Sequence, residues 1–164
     1  MTNNRGLSGE QQAKKFWETG VQELLAGRIH AAVCCFNESL EECPTAEGYT
    51  FRGWALSYLG MLDYAIEDCK RAIEIDPHFG NPYNDIGVYL MRMGLLDDAI
   101  PWLQEAKLAK RYEPRHFPYI NLGRIYIEKG NQSLALEEFV HALDLDPENP
   151  TALKGIADLE LHIE

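Results

Sequence analysis

The sequence predicts an all-α protein built from repeated helix pairs. Two glycines seven residues apart recur four times, and the first glycines of successive pairs are separated by 33, 34 and 36 residues. These pairs are Gly20 and Gly27, Gly53 and Gly60, Gly87 and Gly94, and Gly123 and Gly130. Between them, apolar residues recur at intervals of three and four, which is the period of an α-helix. A pattern that recurs every 33 to 36 residues indicates a tandem array of structural repeats.

The two glycines of each pair have different predicted places. The first lies within a helix, where glycine costs about 1 kcal/mol relative to alanine and is tolerated where two helix backbones approach closely. The second stands where one helical pattern ends and the next begins, which is typical of a glycine that follows a helix C-terminus. Each repeat is therefore predicted to be a helix A, a tight turn and a helix B.

Helix B has its own recurring residues. An alanine follows the second glycine by five residues, a core-type residue comes four later, and a small residue comes three after that. In the first repeat these residues are Ala32, Phe36 and Ser39. Proline at 44, 77 and 147 ends helix B, because proline cannot continue a helix. The third repeat has Arg111 in that place, so we expect its helix B to continue towards Pro114.

These columns resemble the tetratricopeptide repeat family, a 34-residue helix–turn–helix array. An aromatic residue falls at position 4 of each repeat, glycine at 8, alanine at 20 and, in three repeats, proline at 32. The resemblance covers residues 13–147 and implies a right-handed superhelical array of antiparallel helix pairs, a solenoid. The expected organisation is a disordered tail at 1–9 and one domain at 10–164, with repeats at about 13–45, 46–79, 80–115 and 116–149. A capping helix at about 150–163 completes the array.

The resemblance also implies a function. In the family, the A helices line a concave groove that holds an extended or helical peptide. This implies a protein–protein interaction module, acting as an adaptor or scaffold or in a co-chaperone-like role. The expected peptide contacts are Trp17, Trp54, Tyr58, Asn84, Arg92, Asn121 and Arg124.

The chemistry of these residues suits a peptide. Exposed aromatic patches generally mark interaction surfaces, arginines bind carboxylates, and an amide both donates to and accepts from a peptide backbone. Two alternatives stay open at this point. In the first alternative, neighbouring helices cover the tryptophans, so that these are not exposed to a ligand. In the second, nearby acidic residues form ion pairs with the arginines.

Two other functions remain alternatives. The first is a small secretion chaperone that shields a hydrophobic segment, because such chaperones are similar to this chain in their acidity and their repeats. The second is a scaffold that self-associates into a homo-oligomer. Binding of heat-shock chaperone tails is not expected, because the family's clamp needs lysine and asparagine at positions 5 and 9 of one repeat. The residues there are Trp17 and Val21, Thr50 and Trp54, and Asn84 and Val88.

The composition of the chain and the motifs that its sequence lacks argue against several other classes of function. The formal net charge of −11 disfavours binding to nucleic acid. No segment reads as a membrane span or an export signal, so a cytoplasmic protein is expected. The sequence has no catalytic motif of the HExxH or GxSxG type and no phosphate-binding loop, so no enzyme activity or cofactor is expected. The four cysteines lack CxxC spacing, and no metal site is expected.

Overall fold

The computed structural model describes residues 8–160, and the regular structure within them is entirely helical. The described residues form two compact units, 8–77 and 78–160. Unit 1 contains four helices and unit 2 contains five. The predicted all-α array with a C-terminal helix is confirmed.

Unit 1 consists of two helix pairs. Helix α1 (Gly9–Leu25) packs against α2 (Ile29–Glu42), and α3 (Ala46–Tyr58) packs against α4 (Leu62–Ile75). Helix α2 also packs against α3, so the two pairs share a core around Phe36, which is fully buried.

Helix α1 begins inside the segment predicted to be a disordered tail. The Oγ atom of Ser8 accepts a hydrogen bond from the backbone N–H of Gln11 at 3.3 Å, and the side-chain oxygen of Gln11 accepts from the N–H of Ser8 at 2.9 Å. This reciprocal capping box satisfies two N–H groups at the start of the helix. The expectation for Ser8 and Gly9 is therefore wrong, and residues 1–7 lie outside the described part of the chain.

Unit 2 adds a fifth helix to two helix pairs. Its helices are α5 (Asn81–Arg92), α6 (Leu96–Leu108), α7 (Phe117–Glu128), α8 (Gln132–Leu145) and α9 (Pro150–Glu160). Helix α9 packs against α8 and α7 and contributes Ala152 and Leu159 to the core around Phe139. Residues 161–163 of the predicted capping helix lie outside the described residues.

The turn between helix A and helix B is the same in every repeat. The second glycine of each pair has a positive φ, at 75°, 75°, 77° and 74° along the chain. L-residues with a side chain rarely adopt this conformation, so glycine ends helix A without strain. Helices α2, α4 and α8 end at Glu42, Ile75 and Leu145, each two residues before a proline.

The first glycine of the pair allows the two helices to touch. A Cβ atom at Gly20 would lie 2.7 Å from the ring of Phe36, and one at Gly123 would lie 2.7 Å from the ring of Phe139. The ring of Phe139 is enclosed from a second side, because a Cβ atom at Gly155 of α9 would lie 2.5 Å from it. The aromatic ring of helix B therefore fills the space where the glycine has no side chain.

The prediction that the third helix B continues towards Pro114 is wrong. Helix α6 ends at Leu108, and the chain then pairs with the segment before α5. The N–H of Arg111 donates to the carbonyl of His78 at 3.0 Å, and the N–H of Gly80 donates to the carbonyl of Arg111 at 2.9 Å. Tyr112 is buried against Gly80, so this connection gains both hydrogen bonds and apolar contact that a longer helix would forgo.

Candidate functional site

The A helices of unit 1 carry a row of four aromatic side chains. We call Trp17, Phe51, Trp54 and Tyr58 the aromatic row. The ring centroids of Trp17 and Phe51 are 5.2 Å apart at an interplanar angle of 81°, which is an edge-to-face contact between α1 and α3. Phe51 and Trp54 follow at 5.8 Å, and Trp54 and Tyr58 at 6.0 Å. Exposure to solvent increases along the row, since Trp17 is half-buried whereas Trp54 and Tyr58 are 36% and 59% exposed.

A cavity of about 430 Å³ lies at the buried end of the aromatic row. It is bordered by Ala13, Lys14 and Trp17 of α1, by Cys43 and Thr45 between α2 and α3, and by Glu47 of α3. The indole Nε1–H of Trp17 is buried and has no hydrogen-bond acceptor among the described residues. A buried donor without an acceptor destabilises the protein, so an acceptor supplied by a ligand would be favourable.

The A helices of unit 2 bring the two predicted asparagines into contact. Nδ2 of Asn121 donates to Oδ1 of Asn84 at 3.0 Å, and both side chains are buried. This bond joins α7 to α5, so one donor of Asn121 and one lone pair of Asn84 are already used within the protein. The carbonyl oxygen of Asn121 and its second amide hydrogen are the groups that remain for a ligand.

Three predicted contact residues line a single cavity in unit 2. This cavity of about 230 Å³ is lined by Val88, Met91 and Arg92 of α5 and by Asn121, Arg124 and Glu128 of α7. Arg92 and Arg124 are exposed, and Arg124 forms no ion pair with another described residue. The alternative in which nearby acids occupy the arginines therefore does not hold for Arg124. The cavity combines apolar walls with two arginines, the carboxylate of Glu128 and one amide.

The carboxyl group beside Asn84 has an unusual acidity. Burial raises the pKa of Asp85 to about 7, and a contact of 3.5 Å from Nδ2 of Asn84 only partly opposes that effect. Burial, together with the charge of Asp85, also raises the pKa of the Tyr112 hydroxyl. The Asp85 carboxyl therefore changes charge near neutral pH, close to the asparagine pair.

Sequence reasoning missed the ring that connects the aromatic row. Phe51 was not among the predicted contacts, yet it lies between Trp17 and Trp54. The spacing of residues 51, 54 and 58 by three and four places them on one face of a helix, and this pattern could have identified Phe51.

Within residues 8–160, no three His, Cys, Asp or Glu side chains are arranged to hold a metal ion. No described helix is both long and apolar enough to span a bilayer.

Two segments of the chain and one relative are similar to tetratricopeptide repeat proteins. Residues 46–79 and residues 116–149 each match a family model described as tetratricopeptide repeat. The mouse protein named tetratricopeptide repeat protein 16 is 26% identical over 149 residues, which is 83% of this chain but 19% of that protein. The chain thus spans about a fifth of that relative.

Two solved structures show the same fold. That of Pseudomonas aeruginosa pilF has a TM-score of 0.86 and 21% identity, over 93% of this chain and 69% of that one. That of YrrB, described as a TPR protein with an unusual peptide-binding site, has a TM-score of 0.70 and 22% identity. The match to YrrB covers 87% of this chain and 73% of that one.

Proposed function

Because the chain belongs to the tetratricopeptide repeat family, we propose that its A helices bind an extended or helical segment of a partner protein. A role in protein–protein interaction, as an adaptor or scaffold, is the general role of this family. The binding of a peptide segment and the residues that contact it are the specific content of the proposal.

The observation that carries the proposal is the cavity between α5 and α7. Arg92 and Arg124 supply positive charge, and Asn121 supplies a polar group able to bond to a peptide backbone. Val88 and Met91 supply apolar wall beside these groups. A peptide that places a carboxylate next to an apolar side chain matches this combination.

The aromatic row supports a second contact region in unit 1. Trp54 and Tyr58 offer ring faces to a ligand, and large aromatic residues are enriched among the residues that dominate binding energy. Trp17 is held by Phe51 and acts mainly by positioning the row, and its side chain lines the adjoining cavity. Asn84 acts in the same way in unit 2, by orienting Asn121. YrrB, which has this fold, is described as having a peptide-binding site, and this supports the proposal.

The experiment begins with selection of peptides from a random display library on the intact protein. The affinity of a selected peptide is then measured for Tyr58→Ala and Arg124→Ala. The matched controls are Tyr64→Ala and Arg71→Ala, which change exposed residues of the same types on α4, a B helix. Tyr58 and Tyr64 are 59% and 65% exposed, so their removal has comparable effects on folding.

We expect at least one of the two A-helix variants to weaken binding by about tenfold or more, which is about 1.4 kcal/mol. Both controls should bind like the wild type, and all four variants should keep its melting temperature. Selected peptides that lose affinity only with the α4 variants would contradict the proposal.

A further inference from the structure

Helix α9 is a helix A whose helix B is not found among the described residues. In the four preceding repeats, α1, α3, α5 and α7 each pack along a helix B that follows directly in the sequence. Helix α9 packs against α8 and α7 with its buried residues Ala152, Gly155 and Leu159. Among residues 8–160, no helix packs on the side that the other A helices turn towards their own helix B.

The repeat register identifies the residues on that side. Leu153 and Ala157 occupy positions 4 and 8, where the other repeats have a partly buried aromatic residue and a buried glycine. In α9, Leu153 is 48% exposed and Ala157 is also exposed. Exposure at these two positions is therefore peculiar to α9.

The neighbouring helix extends the apolar surface. Leu136 and Val140 of α8 are 37% and 45% exposed. Their equivalents in unit 1 are Val33 and Asn37 of α2, which line a cavity of about 440 Å³ together with residues of α3 and α4. Leu153 corresponds to Tyr49, which also lines that cavity, and Ala157 corresponds to Gly53, which faces Cys69 of α4. We call Leu136, Val140, Leu153 and Ala157 the end surface.

The internal repeats also show what kind of helix fits the end surface. A Cβ atom at Gly20 or Gly123 would lie 2.7 Å from the phenylalanine of helix B, so a large ring requires glycine opposite to it. At Gly53 the Cβ atom would lie 3.5 Å from Sγ of Cys69, which is an ordinary contact distance. Because α9 carries Ala157 at this position, its partner needs a small residue like Cys69 and excludes a large ring.

The charges carried by α8 and α9 favour a basic partner. Helices α8 and α9 carry five acidic residues and one lysine, namely Glu137, Glu138, Asp144, Asp158 and Glu160 against Lys154. Glu138 is neutralised by Lys107, whose Nζ lies 3.0 Å from its carboxylate. A second copy of the chain, with a net charge of −11, would be repelled by the remaining acids.

We propose that the end surface binds an amphipathic helix of another protein, with basic residues along its flanks and alanine, serine or cysteine opposite Ala157. This helix packs on α9 in the way that α4 packs on α3. Its binding is independent of the peptide-binding faces proposed above, because it uses neither the aromatic row nor the cavity between α5 and α7.

The test uses two synthetic helical peptides built on the inward-facing residues of α4, Ala65, Cys69 and Ala72, with lysines at the outward positions. One peptide has serine in place of Cys69 and the other has phenylalanine. Binding to the full chain is followed by NMR, from the backbone amide shifts of Leu136, Val140, Leu153 and Ala157. Ala157→Gly and Leu153→Glu are the variants, and Leu153 is exposed enough for its replacement to leave folding intact.

We expect the serine peptide to shift these four amides and to bind the wild type at least about tenfold more tightly than the phenylalanine peptide. Ala157→Gly should remove this preference, Leu153→Glu should abolish binding, and Trp54→Ala should leave binding unchanged. No binding at millimolar peptide, equal affinity of both peptides for both proteins, or shifts confined to α5 and α7 would overturn the proposal. Concentration-dependent mass in light scattering that Leu153→Glu abolishes would overturn it in favour of a second copy.

Discussion

The close contact between helix A and helix B is tested by adding one methyl group to it. Gly20→Ala places a Cβ atom 2.7 Å from the ring of Phe36, a side chain that is fully buried. Gly53→Ala makes the equivalent change in the next repeat of the same unit, where the nearest side-chain atoms are 3.5 Å away. There the carbonyl oxygen of Ala65, at 3.0 Å, is the closest atom, and a shift of a few tenths of an ångström relieves the contact.

The expected magnitudes follow from two opposing effects. Overpacking a well-filled core destabilises by about 1–3 kcal/mol, whereas alanine is favoured over glycine in a helix by about 1 kcal/mol. Gly20→Ala should therefore lower the free energy of unfolding by about 1 kcal/mol, and Gly53→Ala should leave it nearly unchanged. In a Phe36→Ala background the clash is absent, so Gly20→Ala should there raise the free energy of unfolding by about 1 kcal/mol.

Urea unfolding of the four variants, followed by circular dichroism, measures these differences. The coupling between positions 20 and 36 should be about 2 kcal/mol. If Gly20→Ala is as stable as Gly53→Ala, or if its effect is the same with and without the ring of Phe36, the explanation of the recurring glycines is incorrect.

Three further predictions concern charges and one hydroxyl group. Asp68→Ala should destabilise by about 2 kcal/mol in urea unfolding, because it breaks two hydrogen bonds of 2.7 Å with Arg52. Glu23→Ala, at a more exposed ion pair, should have a clearly smaller effect. The folded state holds the proton of Asp85 up to about pH 7, so its stabilising contribution is full below about pH 4 and is lost as the pH rises through 7. Asp85→Asn should therefore flatten the pH dependence of the melting temperature between these values, and parallel profiles for the two proteins would contradict this. Tyr112→Phe removes a buried hydroxyl without a partner among the described residues and should leave the melting temperature equal or higher; a clear fall would reveal a missed hydrogen bond.

The repeating part of the fold could be predicted because each column has a local physical cause. A glycine such as Gly60 is needed for positive φ whatever surrounds it, and Pro44 ends a helix by its own geometry. The connection after α6 could not be predicted in this way. Arg111 finds its hydrogen-bond partners at His78 and Gly80, more than thirty residues earlier, and no local pattern reveals that pairing.

The candidate site could likewise be predicted only in part from the sequence. The helix faces of Arg92 and Arg124 follow from repeat positions, and both residues line one cavity. The bond between Asn84 and Asn121 depends on how α5 and α7 approach each other, so the sequence could not show that these amides bind one another. Residues at repeat positions are thus predictable as a set, whereas their mutual contacts require the packed structure.

The most direct test of the account is an NMR titration of the intact protein with a peptide selected for binding. The central claim is that the A helices form the binding surface. It predicts the largest backbone amide shifts at Val88, Met91, Arg92, Asn121 and Arg124, along the aromatic row, or at both. Shifts confined to the outer surfaces of α2, α4, α6 and α8 would contradict it.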